Sequence, residues 1–206
     1  MRVLASMTIA AALLLTAGCG DSSDAPAGGT AEVSLTAVPA ISGWSSINGI
    51  SVPLGKTDGP MSGTGEPFSG FTHTPQGAAL AAIGQSVQLS TASDQSWPKM
   101  LAGVAVSGEG RDEFAVNRAL ISSNGDVDPA VAPSILGYVI TSYDDSAAAV
   151  DVVQRFPDDS IASTRSAVVW TDTDWKLNLP TAQSAVPATA LTDIPAGMVD
   201  LEGTLK

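Results

Sequence analysis

The stretch from Ile161 to Leu179 reads IASTRSAVVW-TDTD-WKLNL, and it decides the fold. Ile161 to Trp170 is rich in β-branched residues. The four residues Thr171 to Asp174 suit a turn, and Trp175, Leu177 and Leu179 then alternate with Lys176 and Asn178. A period of two puts the Trp and Leu side chains on one face of a strand and the polar pair on the other. Working back along the chain, Ile135 to Tyr143 and Ala147 to Phe156 have the same character. Asp144-Asp145 lies between them, and Pro157-Asp158-Asp159 precedes Ile161. Connections this short permit only antiparallel neighbours, so about four strands form a meander.

Upstream the period changes. Thr74 can cap a helix, Pro75 suits its first position, and an Ala-rich run continues to about Ser90. Leu80, Ile83 and Val87 share one stripe, with Ala79 and Ala82 as small neighbours. A second helix is expected over Trp97–Val106, closed by Gly108, and a third from about Arg111 to Ser122. Trp44 to Leu54 reads as an early strand or extended segment, and the Gly- and Pro-rich residues 55–70 as loop. Residues 180–206 are expected to drape over the domain, with a short strand near Met198–Leu201. Helices first and strands second make an α+β domain, in which N-terminal helices pack on a curved antiparallel sheet.

At the N-terminus, Met1-Arg2 is followed by an apolar run from Val3 to Ala17, too short for a stable transmembrane helix. The run ends in Leu15-Thr16-Ala17-Gly18-Cys19, which resembles a bacterial lipobox with Thr16 in place of the commoner Leu. The expectation is a signal peptide over residues 1–18, with the Cys19 thiol as the lipid attachment point. An ordinary secretory signal with an incidental cysteine is the alternative. Residues 19–40 are small and polar, the composition of a flexible tether, which leaves 41–206 as a single domain. Two acyl chains would hold the protein durably at the outer face of the membrane.

The 206 residues carry 9 Lys and Arg against 21 Asp and Glu, a formal charge of −12. Such a surface repels phosphate backbones, so nucleic acid is not an expected partner. One cysteine allows no internal disulfide, and one histidine allows no His-rich metal site. That histidine, His73, sits just before a helix N-terminus, where a neutral ring could polarise a carbonyl or simply bond to local backbone. Gly55-Lys56-Thr57 resembles the end of a phosphate-binding loop, but Ile50 stands where that loop needs glycine and Asp58-Gly59-Pro60 blocks the helix. The pairs Asp144/Asp145, Asp158/Asp159 and Asp172/Asp174 fall in expected turns, where Asp bonds its own backbone. Trp44, Trp97, Trp170 and Trp175 read as core or sheet-face residues, or as a binding surface if exposed together. No catalytic residue, cofactor or metal site emerges from this reading.

Two motifs and their order carry a resemblance. Gly70-Phe71-Thr72-His73-Thr74-Pro75-Gln76-Gly77 is similar to the helix-opening motif of an uncharacterised family of actinobacterial exported proteins and lipoproteins found near conjugation or mobile-element genes. Gly110-Arg111-Asp112-Glu113-Phe114, Gly137-Tyr138-Val139 and the hairpin from Val168 to Leu177 follow in that family's order. The family's central turn glycine is Thr173 here, where a positive φ would be resisted. The resemblance implies a cone-shaped, nuclear-transport-factor-2-like fold and brings no catalytic residues. The function it implies is a lipid-anchored extracytoplasmic interaction or scaffold module with a protein partner in the envelope, accessory to a conjugation-type assembly. A small-ligand binder or cone-fold enzyme using an interior cavity is the alternative.

Overall fold

Asn48-Gly49 is where the observed chain first reverses. Both residues have positive φ, 48° and 96°, the backbone that a two-residue hairpin needs and that Asn and Gly adopt most easily. The segment read as one extended piece is therefore two strands, β1 (Ile41–Ile47) and β2 (Ile50–Gly55), paired antiparallel as a separate two-stranded sheet. The computed structural model describes residues 33–63 and 65–204; the signal region and Cys19 lie outside them. Packing begins earlier than residue 41. Pro39 is buried, and Gln76 donates to the carbonyls of Ser34 and Ala37 at 2.9 and 3.2 Å.

Helix α1 (Pro75–Ser90) starts as its residues dictate. Thr74 caps it, accepting from the Gly77 amide at 3.0 Å, and Pro75 opens the first turn. It is apolar almost all round, and its alanines at 78, 79, 81 and 82 are fully buried. A helix with so broad an apolar surface must be covered on several sides. Here β2 packs against it, as do four strands of the main sheet. Gly84 lets the chain at Phe68 cross close by, since a Cβ there would come within 2.8 Å of that ring. Helix α2 (Trp97–Val104) and helix α3 (Glu109–Arg118) follow, α2 shorter than expected at its end and α3 shifted towards the N-terminus.

The meander forms as read. Strands β3 (Ser134–Tyr143), β4 (Ala147–Arg155), β5 (Ile161–Trp170) and β6 (Trp175–Leu177) pair antiparallel in succession. The main sheet is larger than about four strands, however. β7 (Thr189–Leu191) pairs with the start of β5, and β8 (Val199–Asp200) pairs with β3, giving six strands. Strand β8 is the short strand expected near Met198–Leu201, whereas β7, three residues in a Pro- and Ala-rich stretch, carries no such signal. Even-numbered β4 residues Ala148, Val150 and Val152 face the core with Tyr138 and Val168. The architecture is α+β, with α1 lying across a mostly antiparallel sheet.

Arg118 anchors α3. Its side chain is buried, donates to the carbonyls of Ala92 and Ile121 at 3.0 Å each, and pairs with Asp94 at 2.9 Å. The Ser123 amide and then Arg118 hold the Asp94 carboxyl below its ordinary range. That contribution is present above the ordinary value of 3.8 and is lost as pH falls through the lowered one.

Tyr138 supplies a test of the packing. It is wholly buried and its hydroxyl has no hydrogen-bond partner among the described residues. Burial first, and the negative charge of Asp58 second, raise its pKa well above 10.0. The neutral phenol's contribution is complete below pH 10 and declines as pH rises beyond it. Tyr138→Phe should leave stability at pH 7 unchanged or raise it by about 1 kcal/mol. Urea titrations at pH 7 and above pH 10 should show a shallower alkaline decline for the variant.

Candidate functional site

The two motifs singled out in the sequence, 100 residues apart, meet in space. The turn between β5 and β6 brings Trp170 and Trp175 directly opposite each other, so both side chains leave the same face. Their rings meet edge to face, with centroids 5.4 Å apart. His73, exposed just before α1, lies flat on Trp170 with centroids 4.1 Å apart and planes 8° from parallel. Its ring also meets Trp175 at 5.6 Å, and Tyr143 flanks Trp175 from β3 at 6.0 Å. The His73 Nε2 contacts the carbonyl oxygen of Asp145. The histidine therefore bonds neither to local backbone nor into a cavity; it is a tertiary stacking residue.

Beneath this cluster lies the buried carboxylate of Asp174. It accepts from the amides of Gly70 at 2.9 Å, Phe71 at 3.0 Å and Trp175 at 3.0 Å. Lys176 Nζ lies 3.5 Å away and donates to the Gly103 carbonyl at 2.6 Å, which extends the network to α2. Trp175 adds a bond from its indole N–H to the Thr72 carbonyl at 2.9 Å. On the other side of His73, the Thr72 and Thr74 hydroxyls converge on one Asp58 oxygen at 2.8 and 3.0 Å. The Asp174 and Asp58 carboxylates are thus committed to holding backbone amides and hydroxyl groups. The arrangement aligns and locks the chain.

Of the three acidic pairs, Asp144 and Asp158 behave as read. Asp144 accepts from the Ser146 hydroxyl and amide and from the Ala147 amide, and Asp158 accepts from both Ser160 groups. These bonds hold both carboxyls below the usual carboxylate range. Asp174 is the correction. Instead of closing its own turn it reaches a segment 104 residues earlier, and Trp175 beside it in sequence is the one wholly buried tryptophan. Trp44, Trp97 and Trp170 are half-buried. The turn itself resolves the substitution at Thr173, because the positive φ of 55° falls on Asp172. Asp tolerates that conformation through its short polar side chain, and Thr173 has no need of it.

Gly55-Lys56-Thr57 forms a turn after β2. Lys56 donates its amide to the Ala40 carbonyl at 2.7 Å, and Gly55 its own to Gly59 at 2.8 Å. A cleft of about 190 Å³ opens elsewhere, beside β5. β6 covers β5 from Val168 onward and β7 covers it up to Ser163, so the edge between them is left to the cleft. Ser86, Arg165, Ser166 and Asn178 give it polar groups, but Arg165 is held by both oxygens of Asp151 at 2.7 and 2.8 Å. Among the described residues no three His, Cys, Asp or Glu side chains gather where they could share a metal ion. No described helix is long and apolar enough to cross a membrane.

The fold and this locked junction define a class, an α+β domain whose helix-opening segment is clamped to a tryptophan-bracketed hairpin. The chain belongs to the family described as a domain of unknown function, DUF8175, whose model matches residues 12–200. No curated protein and no solved structure matches it.

Three substitutions test the clamp. Asp174→Ala removes the acceptor for three amides and should cost about 3 kcal/mol in urea unfolding. Asp174→Asn keeps one acceptor and should cost less. His73→Ala uncovers one face of Trp170 and should cost about 1 kcal/mol, with a red-shifted tryptophan emission.

Proposed function

We propose that the protein is an exported, lipid-anchored module of the cell envelope that acts by holding a protein partner, accessory to a conjugation-type assembly. One observation carries the location: Leu15-Thr16-Ala17-Gly18-Cys19 ends an apolar run that follows a single basic residue. The acidic balance of −12 fits a surface that stays in solution outside the membrane. Helices followed by a four-strand meander, with α1 across it, favour a cone-shaped, nuclear-transport-factor-2-like fold. In that fold the interior would be the ligand site, and here α1, Tyr138, Val150 and Trp175 fill it with side chains. The polar residues of the junction are spent on locking the chain, which favours a binding surface over a reaction centre.

A second reading rests on the cleft beside β5, whose walls combine apolar Leu177, Leu179 and Val186 with Ser86 and Asn178. At about 190 Å³ it would take a small molecule, well short of a typical drug-sized site.

The location is tested by expressing the full chain and its Cys19→Ala variant in a bacterial host that processes lipoproteins. The wild type should sediment with membranes and carry a diacylglycerol mass increment on Cys19. The variant should appear in the soluble extracytoplasmic fraction. An unmodified cysteine in the membrane-free fraction of both would overturn the anchoring.

A further inference from the structure

Helix α3 packs Phe114 and Ala115, both partly buried, against the core and turns the rest of its apolar surface outward. The two residues it buries fully are Gly110, pressed against the Leu179 carbonyl, and Arg118, held by Asp94 and two carbonyls. Its larger aliphatic residues point outward. Val116 is 65% exposed, and in the turn that continues the helix Leu120 is 80% and Ile121 61% exposed. Exposed apolar side chains scattered singly need no explanation, but three within six residues, Val116 and Leu120 among them four apart, form a patch. Beside them runs a groove between α3 and the segment from Leu179 to Ala185, floored by Phe114 and Pro180. The Ala182 amide donates to Glu113 at 2.7 Å across it, which fixes its width.

The charge around this patch points to its occupant. Glu109, Asp112 and Glu113 line the first turns of α3, where they also suit the helix dipole. Of the two cations on the helix, Arg118 is buried and paired with Asp94, and Arg111, bonded to the neutral Ser107 hydroxyl, leaves the three acids in excess. Two copies of this face would bring like charges together, which opposes self-association. The same acids oppose anionic lipid.

We infer that the outer face of α3, Val116, Leu120 and Ile121 with the acidic rim of Glu109 and Asp112, docks a basic amphipathic segment of a partner protein. This rests on the partner-holding role proposed above, and it names the surface and the chemistry. A helix with leucines on one face and lysines on the other would cover the aliphatic residues and place its charges over the rim.

The probe is a fluorescent 18-residue Leu/Lys helix of that pattern, titrated by anisotropy against the exported full chain carrying Cys19→Ser, so that no acyl chain competes. A peptide of the same composition, reordered to remove the apolar face, is the comparison. The patterned peptide should bind at least tenfold more tightly than the reordered one. Leu120→Asp/Ile121→Asp should abolish that preference, and Glu109→Gln/Asp112→Asn should weaken binding severalfold at low salt. Both variants alter exposed positions, and unchanged urea midpoints would show that they fold. Equal binding of the two peptides, or wild-type affinity in the Leu120/Ile121 variant, would overturn the inference. So would a dimer or phosphatidylcholine-vesicle binding that the same variant abolishes. Because the assay is run without the lipid, its failure would leave the anchoring untouched, and a failure of anchoring would leave the docking result standing.

Discussion

A carboxylate enclosed by protein must find hydrogen-bond donors, and Asp174 finds three backbone amides on two segments of chain far apart in sequence. Much else follows from that requirement. Gly70 and Phe71 are pulled against the β5–β6 turn, so the residues that lead into α1 are fixed to the sheet before the helix begins. Thr72 then accepts from the Trp175 indole, His73 falls on Trp170, and Thr74 caps the helix. The clamp sets where α1 starts, and so how it crosses the strands.

Once placed, α1 has little freedom. Its alanines permit close approach to the sheet on one side and to β2 on the other, while two glutamines secure its flanks. Gln85 donates to the carbonyls of Trp175 and Phe68, and Gln88 joins the Phe68 amide to the Glu66 carbonyl. Both residues are buried, and their side-chain amides complete backbone groups of residues 66–68 and of Trp175, while the Gln85 Oε1 has no partner among the described residues. The polar chemistry of the interior is architectural in this sense. It joins loop, helix and hairpin, and the parts of the surface left unspent lie elsewhere, along α3 and at the open stretch of β5.

The contrast between α1 and α3 shows how differently two helices of one domain can be held. Burial of small apolar residues secures α1 on every side. By comparison α3 is held by a guanidinium, a glycine contact, a bond from Ala182 to Glu113 and the partly buried Phe114 and Ala115. A helix so attached contributes modestly to the core while presenting an aliphatic row to solvent, an arrangement that burial alone would not select.

The sequence by itself determined the elements whose signals are local. The Thr74-Pro75 cap and the strand alternation around Trp175 depend on neighbours a few residues away, and so do the Asp turns at 144 and 158. The Asn48-Gly49 reversal rests on an equally local signal, a dipeptide that accepts positive φ at both residues. What only the tertiary structure decided is which polar groups are buried. Asp174 reads as one more turn aspartate, His73 as a helix-flanking residue and Arg118 as one more residue of the third helix. Each takes its role from a partner dozens of residues away. Strand β7 likewise exists because an edge of β5 is there to receive it. Local propensity is a property of a few consecutive residues, whereas desolvation and pairing depend on what the fold brings alongside, and no spacing along the chain encodes that.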